Sequence, residues 1–214
     1  MKLYHYVHCP FCIRVRMTLG LLNIPFESIV LPYDDEETPK SLTNVKMLPI
    51  FTFQDGLSSN ESLDIIKKLD SSNILKSEKL ESKERDLVEA LLSKLGSDVH
   101  SLCMPYWIWT PEFDVNSRAY FQKKKEIKRG PFNKLIQNKS TYLNSFNENL
   151  QELIPHIDKF YKSETITVFD LMIASHIWGM YVFPEYQFPT EVHNYLQRIK
   201  EKCSFDYHVD FWID

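Results

Sequence analysis

An apolar run at residues 3–7 leads into Cys9-Pro10-Phe11-Cys12, and a helical pattern opens at Pro10. Two thiols two residues apart, with a strand before them and a helix after, predict a redox site at a strand-to-helix junction. A thiol exchanges with a disulfide only as thiolate. The unpaired amides and partial positive charge of a helix N-terminus stabilise an anion there. Cys9 takes that position. Pro10 suits the first turn, because its missing N–H would have had no intrahelical partner and its φ is already helical. Cys12 lies one turn further in, where an i, i+3 neighbour faces the first sulfur and can attack a mixed disulfide formed there. Cys9 is therefore read as the attacking thiol and Cys12 as the resolving one. Arg16, seven residues after Cys9 and four after Cys12, falls on the same stripe and is expected to add positive field.

The rest of the chain bounds this reading. A chain of 214 residues can bury a core without disulfide staples, so its four cysteines are free for chemistry. With no secretory signal in the sequence, a reducing cytoplasm is expected, where Cys-x-x-Cys is catalytic or metal-binding. Cys103 and Cys203 stand apart from any second Cys-x-x-Cys or close histidine pair. No metal is expected, and both are read as buried small hydrophobes. No apolar run is as long as a membrane span, and a formal net charge of -4 gives no electrostatic case for nucleic acid or an anionic membrane. Five glycines and 14% aromatic residues predict a helix-rich chain with few tight turns.

Residues 1–70 alternate strand and helix signals. A strand at 3–7, an amphipathic helix at 10–22 and a second strand near 26–31 make a βαβ unit, the helix ending at Asn23-Ile24-Pro25. Acidic residues 34–37 and Thr38-Pro39 read as a loop leading into a short helix. Leu48-Pro49-Ile50-Phe51 begins a third strand, Gln54-Asp55-Gly56 turns it into a hairpin, and Asn60 or Glu61 starts a closing helix. Residues 71–82 are Ser- and Lys-rich, which predicts a linker. Beyond 83 the apolar spacing becomes helical, as in Leu87, Leu91, Leu92, Leu95 and Val99. The sharpest signal there is Ile166-Thr167-Val168-Phe169-Asp170-Leu171, a capping box with a hydrophobic staple, opening a helix apolar nearly all round. The expected layout is a first domain at 1–72, a linker at 73–83 and an all-helical domain at 84–214.

These pieces resemble the two-domain bacterial glutaredoxins, a thioredoxin-like α/β domain joined to an all-α domain in a glutathione-transferase-like architecture. The resemblance spans nearly the whole chain. Its carriers are Lys2-Leu3-Tyr4, His8-Cys9-Pro10-Phe11-Cys12, Asn23-Ile24-Pro25, Glu37-Thr38-Pro39, Leu48-Pro49-Ile50, Glu61-Ser62-Leu63-Asp64-Ile65, Tyr120-Phe121 with Lys124-Lys125-Glu126 and Gly130, and the staple at 166–171. It implies that Pro49 is a cis-proline beside the cysteines, although from the residues alone an ordinary strand-entry proline is the better reading. The backbone of Leu48 would then pair with an extended cysteinyl peptide such as glutathione. It also implies that Ser62 and the amides around it hold the γ-glutamyl carboxylate while Glu61 pairs with the ammonium. Both residues equally suit a helix cap. Phe11 departs from the tyrosine many glutaredoxins carry there, which predicts altered polarity between the sulfurs.

The function so implied is a glutathione-dependent thiol-disulfide oxidoreductase acting on protein disulfides and glutathionylated proteins, with glutathione as co-substrate and the protein a monomer. A glutathione transferase and a non-catalytic glutathione-fold binding protein stand as alternatives, the retained Cys12 counting against the first. Other features receive plainer readings. His8 reads as a solvated loop histidine at least as well as a tuner of the nucleophile. The basic run 123–129 reads as a solvated helix end before Gly130-Pro131. Trp107 and Trp109 read as interdomain packing, and the aromatic tail at 205–212 has no assigned role.

Overall fold

A computed structural model describes residues 1–205. Strand β1 (Lys2–His5) is central, because Leu3 and His5 alternate into the interior while both of its edges are paired. It runs parallel to β2 (Glu27–Val30) and antiparallel to β3 (Ile50–Thr52), which pairs with β4 (Ser58–Ser59), giving the order β2-β1-β3-β4. Helix α1 (Pro10–Leu21) makes the crossover from β1 to β2. Asn23, in the left-handed region at φ 52°, turns the chain back after it. Helix α2 (Glu37–Thr43) follows β2, and the β3–β4 turn closes on Gly56 at φ 82°. Helix α3 (Ser62–Leu69) then packs beside α1, with Ile13, Ile65 and Ile66 buried against Leu3 and Phe51 of the sheet. This is the thioredoxin-like arrangement the sequence predicts, with each expected element present.

Beyond β4 the regular elements are helical: α4 (Lys83–Trp107), α5 (Val115–Arg129), α6 (Phe132–Gln137), α7 (Lys139–Leu153), α8 (Val168–Ile177) and α9 (Thr190–Lys202). Helix α8 lies at the centre, packed on α4 within its own domain and on α1 across the interface. Every residue of it but His176 is buried. Its Phe169, Leu171, Met172, Ile173 and Ile177 are each worth about 1.5–3 kcal/mol on burial, so the helix contributes on the order of 10 kcal/mol of gross apolar stabilisation. The start of α8 is fixed as predicted, by Asp170 reaching back to Thr167. The Asp170 carboxylate accepts from the Thr167 N–H (2.7 Å) and hydroxyl (2.9 Å), the Tyr161 N–H (2.7 Å) and the Tyr195 hydroxyl (2.9 Å).

The polar segment expected as a linker packs closely. Leu75 and Leu80 are buried, and residues Ser77–Glu81 form a 3-10 turn. The Asp70 carboxylate holds the bend by accepting from the N–H groups of Ile74 (2.8 Å) and Leu75 (2.9 Å) and from the Ser77 hydroxyl. The Leu75 carbonyl accepts the first amide of α8, from Val168, at 2.8 Å. The two halves also meet at Gly20, where an added Cβ would lie 1.8 Å from the Cys203 carbonyl oxygen. Only a glycine lets α1 approach the end of α9 so closely. Of the aromatic tail, Phe205 is buried against Trp178, and 206–212 lie outside the described residues.

Candidate active site

Cys9 occupies the N-cap of α1 with extended backbone (φ -78°, ψ 121°), followed by Pro10 in the first turn. Both cysteines are free thiols, Cys9 half-buried and Cys12 fully buried. Hydrogen bonding from the Cys12 thiol holds the Cys9 pKa down to about 7 against the cost of burial, with the Cys12 and Phe11 amides and the Arg14 charge adding to it. Cys12 moves the other way. It sits among Leu31, Leu48, Tyr4, Tyr6 and Ile29, and burial pushes its thiol well above the ordinary value, with its donation to Cys9 adding to the rise. The pair is thus polarised into one thiolate and one thiol donor. Alkylation of Cys9 by iodoacetamide should follow a pH midpoint near 7, falling about tenfold per unit below pH 6; a midpoint at 8.5 or above would contradict the polarised pair.

The Leu48–Pro49 peptide bond is cis, and Leu48 lines the cleft beside Cys9. Phe11 is half-exposed next to the sulfurs, with the Arg14 guanidinium 4.6 Å from its ring centre and the His176 ring edge-on at 5.8 Å. The cation nearest the nucleophile in effect is Arg14, not the expected Arg16. Arg16 lies over Phe205 at 4.9 Å, lowers Cys12 rather than Cys9, and helps hold His5 in its neutral form. Spacing misled because Cys9, as N-cap, has non-helical backbone, so counting helical turns from it misplaces the stripe.

His8 is buried, correcting its reading as a solvated loop residue. Its Nε2 lies 2.7 Å from the Thr110 hydroxyl, which itself donates to the Trp107 carbonyl. The hydroxyl must therefore accept from His8 Nε2–H. The His8 ring stacks on Trp107 at 5.1 Å, so this histidine joins the nucleophile's loop to the end of α4. Trp107 performs the interdomain packing expected of it, whereas Trp109 is exposed under the Arg118 guanidinium. Cys103 and Cys203 are buried thiols whose pKa burial raises, to about 12 for Cys203.

Two hollows meet at Phe11. The smaller, about 280 Å³, is lined by Arg14, Glu61, Ser62, Lys67, Arg85 and Glu89 among others, charges of both signs close to a buried serine at the start of α3. The larger, about 440 Å³, lies between the domains and holds Cys9, Pro10, Phe11, Tyr6 and Leu48 on one side. Lys124, Lys125, Lys128 and Arg129 of α5 line the other. The basic run is therefore only partly a solvated helix end: Lys123 and Ile127 face out, while Lys124, Lys125, Lys128 and Arg129 form a cleft wall. Helix α5 is held there by Ser117, which accepts from the Tyr33 N–H (3.1 Å) and donates to Asp34 (2.6 Å), and by Tyr120, which donates to Glu36 (2.6 Å) and accepts from Lys46 (2.8 Å). Among the described residues no group of side chains is arranged to hold a metal ion.

A thioredoxin-like domain and a helical domain, with a polarised dithiol at the cleft between them, define a thiol enzyme built on the glutathione-transferase fold. Residues 3–73 match the glutathione S-transferase N-terminal domain family, and residues 87–208 match the glutaredoxin 2 C-terminal domain family. Glutaredoxin 2 of Escherichia coli (strain K12) is 35% identical over 159 residues, covering 72% of each chain. The solved structure of glutaredoxin 2 from Salmonella typhimurium in complex with glutathione superimposes with a TM-score of 0.85 at 28% identity, over 96% of this chain and 95% of that one. Glutathione transferase GSTFuA3 from Phanerochaete chrysosporium shares the fold at a TM-score of 0.77 and 15% identity, over 96% and 97% of the two chains. The chain belongs to the glutaredoxin 2 family, glutathione-dependent oxidoreductases.

Proposed function

We propose that Cys9 is the nucleophile and Cys12 the resolving thiol in the glutathione-dependent reduction of protein disulfides and glutathione mixed disulfides. The observation that carries this reading is the position of Cys9, half-buried at the N-cap of α1 with its thiol pKa lowered to about 7, one turn before the fully buried Cys12. On a glutathionylated protein, the Cys9 thiolate attacks the glutathione sulfur and the protein leaves as thiolate. A second glutathione thiolate then attacks the enzyme-bound sulfur, releasing glutathione disulfide and restoring Cys9. On a protein disulfide, Cys9 forms a mixed disulfide with one protein sulfur. Cys12 displaces the substrate dithiol by closing a Cys9–Cys12 disulfide, and two glutathiones supply the two electrons that reopen it.

Glutathione in this reading lies across Phe11 with its cysteine along Leu48 and Pro49 and its sulfur toward Cys9 and Pro10. Its γ-glutamyl end occupies the smaller hollow, with the ammonium on Glu61 and the carboxylate on Ser62 and the α3 amides. The mixed charge of that hollow, Arg14 included, suits a zwitterion. The same reading divides the chain at 1–72 and 84–214 with 73–83 as the joint, and has it act as a monomer in a reducing cytoplasm. Free Cys103 and Cys203 accord with that compartment, and among the described residues no helix is long and apolar enough to cross a membrane.

The test couples reduction of a glutathione mixed disulfide to glutathione reductase and NADPH. Absence of turnover by the wild type would overturn the activity. Cys12→Ser should keep mixed-disulfide turnover within about threefold, because glutathione alone completes that route, yet lose about a hundredfold on a protein disulfide that needs an internal resolving thiol. Equal rates on the protein disulfide would remove Cys12 from its role.

A further inference from the structure

We propose that the α5 face walling the Cys9 cleft docks an acidic segment of the protein substrate, so that Lys124, Lys125 and Lys128 select cysteines flanked by Asp or Glu. The inference rests on the reading of Cys9 as the nucleophile of a protein-reducing enzyme. The chain as a whole carries a net charge of -4, yet Lys46, Lys124, Lys125, Lys128 and Arg129 line the larger hollow, and among the described residues no carboxylate does. Two of these cations are already engaged. Lys46 donates to the Tyr33 carbonyl and Tyr120, and Arg129 to the Ser97 carbonyl and the Ser101 hydroxyl.

The other three have no carboxylate within ion-pair distance among the described residues. Glu126, the acidic residue of the same run, is turned to Gln122 and to the Phe132 amide instead. Lys124 and Lys128 repel each other at i, i+4, a spacing at which like charges weaken a helix. The fold retains that repulsion on a helix whose first turns are bound to the catalytic domain through Ser117 and Tyr120. The wall is thus held over the nucleophile before any substrate arrives, which lowers the ordering cost of binding. The zwitterionic hollow on the far side of Phe11 has the mixed charge suited to glutathione, which leaves the cationic wall to the other half of the disulfide. Leu48, Met104, Trp107 and Phe121 give the floor an apolar character, and about 440 Å³ accommodates a few residues of extended chain. The matching ligand is a short cysteinyl segment with acidic residues beside an apolar one.

The experiment uses cysteinyl hexapeptides as glutathione mixed disulfides, with Glu, Gln or Lys on both sides of the cysteine. At low ionic strength the Glu peptide should exceed the Lys peptide about tenfold in kcat/KM, mainly through KM. That ratio should fall toward one in 0.5 M salt and in Lys124→Gln/Lys125→Gln/Lys128→Gln. A wild-type ratio near one, or a ratio unchanged in the triple variant, overturns the inference. If the wall instead binds the carboxylates of glutathione, the triple variant raises KM for glutathione equally with all three peptides, which also overturns it. The same peptides, labelled, are titrated by fluorescence anisotropy into Cys9→Ser protein, where no exchange runs. Acidic preference there supports the inference even if the wild type shows no turnover, a result that would defeat only the catalytic reading.

Discussion

Cys9→Ser should reduce glutathione-dependent turnover by on the order of a thousandfold or more, to the background of free glutathione exchange. The size of that loss does not follow from acidity alone. With a pKa of about 7, roughly half of Cys9 is thiolate at pH 7, against about 3% for an ordinary thiol near 8.5. That gain of about sixteenfold is offset about fivefold by the weaker nucleophilicity of a less basic thiolate. Only about threefold remains. Most of the rate must then come from holding the reacting disulfide in line with Cys9, a contribution worth several kcal/mol when geometry is fixed. Serine keeps the site's shape but offers no thiolate, so it loses both parts together. The measurement is the coupled NADPH assay on a glutathione mixed disulfide, with the spontaneous rate subtracted. Residual turnover above about one percent would assign the chemistry to another thiol.

Asp170→Ala should destabilise the protein by about 3–5 kcal/mol, a large share of the stability of a typical domain. The carboxylate is fully buried and serves four donors, from Tyr161, Tyr195 and, twice, Thr167. Each donor left unpaired in the interior costs about 1–3 kcal/mol, partly recovered where water enters the vacated space. Asp170→Asn should cost less, since one acceptor oxygen stays, while its amide group now faces groups that also donate. Urea midpoints of both variants, converted with the wild-type slope, check the order Ala worse than Asn. A loss under 1 kcal/mol for the alanine variant would show that the network is replaceable by solvent.

The same residues mark how much could be read from the chain. Asp170 and Thr167 are legible because a capping box is local, two residues three positions apart reporting on each other. The polarised dithiol was visible for the same reason, as were the βαβ unit and the helical periodicity of the second half. What escaped was tertiary. His8 is buried by Thr110, 102 residues away, and no pattern around His8 encodes that. The basic run 123–129 has the composition of a solvated helix end. Its orientation toward the cleft depends on Ser117 and Tyr120 reaching loops more than eighty residues earlier. Leu75 and Leu80 were hidden by the serines and lysines around them, which set the average polarity of the segment but not the direction of its two apolar side chains. The count of four from Cys12 does find Arg16, which acts on Cys12, but the count from Cys9 fails because that residue is not helical, and it is Arg14 that acts on Cys9.

The approach of Gly20 to Cys203 bears on the order in which the chain is made. Helix α1 emerges from the ribosome before α8 and the end of α9, which cover its outer face and follow it by roughly 150–180 residues. At about 5–20 residues per second, that leaves the nucleophile's helix uncovered on one side for on the order of ten seconds or more. During that interval the nascent thioredoxin-like half presents an apolar strip beside its two cysteines to chaperones and to neighbouring chains.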